Sequence, residues 1–152
     1  MTHIVCVTRF NDETYNENET WKDKHNFTFD KRFYNTSIKI KESIQPNHEI
    51  MVIEMNNSQN EIIAFGLIKN ICQQWRYNIY KCTNYNRFTY ISSKFLYKHE
   101  IPRHYDYEMN ELTNELFKGK GHLKRGFGIQ VVPNKKLANC KTLFNYIYHT
   151  IS

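Results

Sequence analysis

The chain has 152 residues, 40% of them hydrophobic and 15% aromatic, and 21 basic against 15 acidic side chains give it a net charge of +6. That length suits a single domain, 1–152, with a substantial core, and the apolar content excludes a disordered chain. No apolar run reaches the length of a membrane span, so no membrane partner is expected.

The first segment, "HIVCVTR" (3–9), alternates weakly and reads as a strand. It lacks a basic region followed by an apolar stretch of signal length, which predicts an intracellular protein, cytoplasmic or nuclear. Residues 11–37 are polar and Asn-rich, with "NDETYNENETW" strongly acidic. They predict a long loop, or a loop with a short helix, ending near residues 27–34. Pro46 and Asn47 mark a turn. After it, "EIMVIEM" (49–55) reads as a buried strand, "NNSQN" (56–60) as a turn and "EIIAFGLIKNI" (61–71) as the returning strand. Gly66 inside that strand predicts a bulge or a close backbone approach.

"WRYNIYKC" (75–82) and "RFTYISSKFLY" (87–97) are rich in aromatic and β-branched residues and read as two more strands. Over 75–90, Trp75, Tyr77, Tyr80, Tyr85, Phe88 and Tyr90 interleave with Arg76, Lys81 and Arg87. Aromatics beside cations suit base stacking with phosphate contact. Strand alternation turns many of the rings inward and leaves about two of the six to face a ligand. The candidates are Trp75, Arg76, Arg87 and Tyr90, with Trp21 of the polar excursion as a further pocket wall. A helix is expected from Asp106, its N-cap, along the stripe Met109, Leu112 and Leu116 to a C′ glycine at Gly119. "GIQVVP" (128–133) reads as a short strand. Leu137, Cys140, Phe144, Ile147 and Ile151, three and four apart, predict an amphipathic C-terminal helix. About six strands and two late helices make an α+β domain, a curved mixed sheet or small β-barrel with flanking helices.

Charge is distributed unevenly. The stretch 116–136, "LFKGKGHLKRGFGIQVVPNKK", holds four of the five glycines and six Lys/Arg, and no acid. Residues 118–141 carry seven basic groups, and the remainder of the chain, with 14 basic and 15 acidic, has a net charge of −1. Localised charge of this kind is the footprint of a polyanion site. The loop is neither a P-loop nor a G-x-G-x-x-G turn. Its glycines can turn backbone N–H groups towards an anion, and Lys118, Lys120, Lys124 and Arg125 supply charge. Lys135 and Lys136, expected in the first turn of the last helix, add to it. His122 reads as a hydrogen-bond donor to phosphate. It is also the residue on which the alternative, a phosphodiester hydrolase or nuclease, would rest. The four cysteines are scattered without metal-ligand spacing and fit reduced thiols. No metal and no cofactor are expected.

The order strand, polar excursion, then "NHEIMVIEM…IIAFGLI" with its Phe65-Gly66 pair resembles the PUA-like barrels, particularly the EVE, YTH and ASCH branches, over residues 1–97. The later block "FKGKGHLKRGFGI" (117–129) is similar to proteins of large DNA viruses. The first resemblance implies an RNA-binding fold that grips a modified base in an aromatic pocket. Its ASCH branch implies a hydrolase using Glu54 and Asn56. The second implies a viral protein acting in a host cell. Together these readings predict a non-enzymatic nucleic-acid-binding protein, for RNA or a modified base rather than duplex DNA. A third possibility is a protein-interaction module docking through the acidic stretch Asp12–Glu19.

Overall fold

A computed structural model describes residues 3–27 and 30–152. Its framework is a mixed five-stranded sheet. β1 (Ile4–Phe10) runs parallel to β3 (Glu49–Asn56), and β3 forms a hairpin with β4 (Glu61–Lys69). β6 (Lys94–Tyr97) extends the sheet beyond β4, and the two-residue β7 (Gln130–Val131) extends it beyond β1. A separate pair, β2 (Arg32–Thr36) with β5 (Phe88–Ser92), lies over one face. The expected hairpin is present, but the sheet does not close into a barrel.

Both faces of β3 are buried, which is why it reads as a continuous apolar run. Met51, Ile53 and Met55 join Val5, Val7, Phe65 and Leu67 against helices α2 (Asp106–Phe117) and α3 (Lys141–Ile151). Ile50 and Val52 point the other way, with Cys6 and Ile68, towards Tyr34 and Tyr90 of the strand pair. Gly66 falls on this second face. A Cβ there would lie 2.3 Å from the Tyr34 hydroxyl and 3.0 Å from Ser92 Oγ, so the close approach comes from side chains. The irregularity in the hairpin sits between Glu54 and Met55, away from Gly66.

Three expectations need correction. The polar excursion contains a 13-residue helix, α1 (Asp12–Lys24), rather than a loop with a short helix. Asn11 caps it: Asn11 Oδ1 accepts from the Thr14 N–H at 2.8 Å and Thr14 Oγ1 accepts from the Asn11 N–H at 3.0 Å. Such a cap is worth about 1 kcal/mol, and Asp12 and Glu13 in the first turn suit the helix dipole. Thr28 and Phe29, within that excursion, lie outside the described residues. Residues 75–82 are irregular rather than a strand. Asn86 organises them, accepting from the Ile79 and Tyr80 N–H groups and donating to the Tyr80 carbonyl. Residues 87–97 form two strands in different sheets. Ser92 Oγ donates to the Lys94 carbonyl at 2.9 Å where the chain crosses over.

A buried ionic network ties α1, the strand pair and the main sheet together. Glu54 accepts from Arg32 Nε at 3.0 Å, from Arg32 Nη2 at 2.5 Å and from the Tyr34 hydroxyl at 2.7 Å. Arg32 Nη1 reaches Glu19 at 2.8 Å and the Tyr97 hydroxyl at 3.2 Å. Burial alone would lower the Arg32 pKa, but the Glu54 carboxylate outweighs it and raises it. Burial, reinforced by Glu54, drives the Tyr34 phenol well above its usual value. Lys22, with no side-chain exposure, sits 2.8 Å from Glu19 Oε1. Burial and then Arg32 lower its pKa.

Candidate nucleic-acid interface

The seam where the sheet fails to close forms a cleft. β1 pairs with β3 along its whole length, but on its other edge β7 accompanies only Cys6 and Val7. β2 is paired to β5 alone. The C-terminal half of β1 and the C-terminal half of β2 therefore face one another across a cavity of about 320 Å³. Thr8–Asn11 and Thr14 form one side, Tyr34–Ser37 another, and Asn57 lies at the hairpin turn. Lys124, Gly126, Phe127 and Gly128 of the glycine loop, with Tyr80 and Tyr85, complete it.

The glycine loop is held in place by Arg9. Its Nε donates to the Leu123 carbonyl at 2.6 Å, Nη1 to the Gly128 carbonyl at 3.3 Å and Nη2 to Gln130 Oε1 at 2.5 Å. Burial lowers its pKa, yet a guanidinium remains charged at neutral pH. Asn57 Nδ2 fixes the other end, donating to the Lys124 carbonyl at 2.8 Å. Two loop positions require glycine. Gly126 (φ 126°) would bring a Cβ to 2.7 Å from Gln130 Oε1, and Gly128 (φ 69°) to 2.8 Å from Thr36 Oγ1. Side chains there would be strained twice over, by conformation and by contact.

The walls carry two kinds of chemistry. Phe10, Tyr34 and Tyr80 are buried, whereas Tyr85 and Phe127 remain 46% and 79% exposed. Polar groups alternate with them: Thr8, Asn11, Asn35, Thr36, Ser37 and Asn57. Asn57 Oδ1 is buried and finds no hydrogen-bond donor among the described residues. Such an acceptor left unmatched costs about 1–3 kcal/mol.

Of the twelve residues expected to bind, the structure brings Lys124 alone into the cleft. Lys118, Lys120, Arg125 and Lys135 are exposed on the same basic segment outside it. Lys136 is turned away, with Nζ donating to the Glu115 carbonyl at 3.0 Å and lying 3.3 Å from its carboxylate. Lys135 and Lys136 occupy a 3₁₀ turn, Asn134–Leu137, and not the first turn of α3. His122 is half-buried, its Nδ1 accepting from the Lys124 N–H at 3.2 Å. Trp21 does not line the cleft: half-buried against Phe33, which it meets edge-on at 5.0 Å, it stacks on His25 at 4.3 Å. Trp75 is 75% exposed and Arg76 donates to the Thr83 carbonyl at 3.2 Å, and neither lines the cleft. Arg87 is exposed beside the Phe88 ring. Tyr90 is buried, its hydroxyl accepting from the Ile40 N–H at 3.0 Å, which corrects its assignment as a ligand contact.

Glu54 is fully buried and saturated by Arg32 and Tyr34, so it cannot reach a substrate. Asn56 spends its amide on the turn, donating to Asp12 and accepting from the Ser58 and Gln59 N–H groups. These contacts overturn the hydrolase role implied for the pair. No group of three or more His, Cys, Asp or Glu among the described residues is placed to hold a metal ion. Among those residues no helix is long and apolar enough to cross a membrane.

Arg9, Asn57 and Phe127 were not singled out by the sequence as site residues, and Tyr80 and Tyr85 were read only as members of the 75–90 aromatic stretch. The nearest signal was the ring between two glycines in Gly126-Phe127-Gly128. The chain matches no family model, no curated protein and no solved structure, so the reading of this site rests on its own geometry.

Proposed function

We propose that this protein binds single-stranded nucleic acid, RNA in preference to duplex DNA, and seats one base in the cleft between β1 and β2. The observation that carries the reading is the cleft itself, whose wall is the basic glycine loop and whose interior alternates aromatic and amide groups. A cavity of about 320 Å³ falls at the small end of the range for ligand sites. That scale suits a nucleoside. Tyr85 and Phe127 supply faces for stacking, which is worth about 1–3 kcal/mol per base. Asn57 Oδ1 offers an acceptor to an imino or amino N–H of the base, and Lys124 stands where a phosphate would lie. A duplex end offers no base free to enter a cleft, whereas an unpaired strand does.

The PUA-like resemblance belongs to the same proposal. A mixed sheet with the 49–69 hairpin at its centre, and an open seam holding an aromatic pocket, is compatible with that family and with selection for a modified base. The viral resemblance of the glycine loop is retained as a proposal about origin. The nuclease alternative finds no such support. His122 does not line the cleft, and its Nδ1 already accepts from the Lys124 N–H.

The test is filter binding of single-stranded RNA over a salt series. Log K should fall linearly with log[salt], by about 0.7 for each phosphate contact. Phe127→Ala should cost about 1–3 kcal/mol at an unchanged salt slope. Absent binding, or an equal effect of Phe127→Ala on slope and affinity together, would defeat the proposal.

A further inference from the structure

A second cationic site lies one step from the cleft, on the side away from Lys124. Thr36 lines the cleft and pairs across the strand register with Phe88. The Phe88 ring carries two cations, Lys39 Nζ and Arg87 Cζ, each 5.4 Å from its centroid. Both cations are exposed. Two like charges share one ring, and neither is paired with a carboxylate among the described residues. A polyanion supplies the missing counter-charge. The ring holds both side chains in place, so less ordering remains to be done on binding.

The surface between the cleft and this pair is continuous. Ser37 lines the cleft, and Lys39 follows two residues later, no more than about 7 Å along the backbone. Between them Ile38 is 54% exposed and packs beside Gly128, next to the exposed Phe127. Lys124 and Arg125 stand at the other end of the wall that runs from residue 124 to 128, anchored there by Asn57. The cleft thus lies between two cationic sites, Lys39 with Arg87 beyond Ser37 at one end and Lys124, which lines it, with Arg125 at the other.

Building on the proposed single-strand reading, we infer that the cleft accepts an internal nucleotide of a continuous strand, with Lys39 and Arg87 gripping the phosphate on one side and Lys124 and Arg125 that on the other. A terminal nucleotide or a free mononucleotide can use only one of the two flanks. The minimal ligand is therefore a nucleoside with a phosphate on each side, as in a nucleoside 3′,5′-bisphosphate or any longer strand. Phosphate contacts of this sort fix position without reading sequence, so recognition of the seated base is independent of its neighbours.

The probes are the four nucleoside 5′-monophosphates and the four RNA homopentamers, titrated against wild type and the Lys39→Ala/Arg87→Ala double variant. The best homopentamer should bind the wild type at least about tenfold more tightly than its mononucleotide. The double variant should lose most of that gain, and its salt slope should fall by about 0.7, the contribution of one single-strand phosphate contact. Its affinity for the mononucleotide, which the Lys124 flank can still hold, should fall by less than its affinity for the pentamer. A pentamer that binds no better than its mononucleotide, or a double variant that keeps the full gain, would overturn the inference and leave the cleft reading intact. If neither mononucleotides nor pentamers bind the wild type, the cleft reading fails and this inference falls with it.

Discussion

Removing the Glu54 carboxylate tests the buried network that joins the two sheets. Glu54 has no exposure and Arg32 has 2%, and two of the five guanidinium donors end on that carboxylate. In Glu54→Met the guanidinium keeps Glu19, the Tyr97 hydroxyl and the Tyr97 ring at 5.2 Å. It remains buried with half its neutralising charge gone, and the Tyr34 hydroxyl loses its acceptor. Breaking a buried pair in this way costs about 3–5 kcal/mol. For a domain of this size that corresponds to a fall in melting temperature of about 6–20 °C. Removing both charges in Arg32→Met/Glu54→Met should cost no more than Glu54→Met alone, because no stranded cation is left. Urea unfolding at pH 7, followed by tryptophan fluorescence and checked by circular dichroism, measures Glu54→Met, Arg32→Met and the double variant. A single substitution costing under about 1 kcal/mol, or a double cost equal to the two single costs combined, would show that the network is not coupled as described.

Three further outcomes follow from the same coordinates. Gly66→Ala would drive a methyl into the Tyr34 hydroxyl and should destabilise by about 1–3 kcal/mol in urea unfolding, with Tyr34→Phe in the same chain relieving part of the loss. Burial pushes the Cys6 thiol up to about 12 and the Cys140 thiol to about 11, so iodoacetamide at pH 8 should label exposed Cys82 in the folded protein and reach those two only after unfolding, as read by peptide mass. Burial would raise the Glu19 carboxyl, but Lys22 and Arg32 outweigh it and hold the pKa below its usual range. Its folded pKa is depressed, so its stabilisation is complete above the unfolded value and is lost as pH falls through the folded one. Glu19→Gln should accordingly flatten the acid limb of the stability curve below about pH 4.5 and leave its shape near neutrality unchanged.

The sequence disclosed parts of this architecture and concealed others for physical reasons. The 49–69 hairpin was legible because β3 is buried on both faces and so reads as an unbroken apolar run. α2 and α3 were legible through the stripes Met109-Leu112-Leu116 and Cys140-Phe144-Ile147-Ile151, although α3 itself begins at Lys141. α1 was not, because the residues it buries completely are Asn18 and Lys22, and no apolar period marks its face. Asn18 docks by donating to the Phe33 carbonyl and the Tyr80 hydroxyl. Only the Asn11-x-x-Thr14 cap betrayed that helix. Residues 75–82 had the composition of a strand, yet Asn86 satisfies their backbone locally in place of a ladder.

The site divides in the same way. Its glycine loop was visible as a local concentration of charge, and two of the interleaved aromatics, Tyr80 and Tyr85, do reach the cleft. Arg9 and Asn57 were invisible because their roles depend on contacts with a loop 114 and 67 residues away in sequence. Tyr90 was misread because a ring beside cations looks the same in sequence whether it faces a ligand or the core.

The most direct test of the central claim is to map backbone amide shifts by NMR while single-stranded RNA pentamers are added at low salt. Resonances of Thr8–Asn11, Asn35–Ser37, Asn57 and Lys124–Gly128 should move together and saturate at one affinity, with the Lys39 and Arg87 amides following. Shifts confined to another face, or none with any pentamer, would contradict the assignment of the β1–β2 cleft as the site where nucleic acid binds.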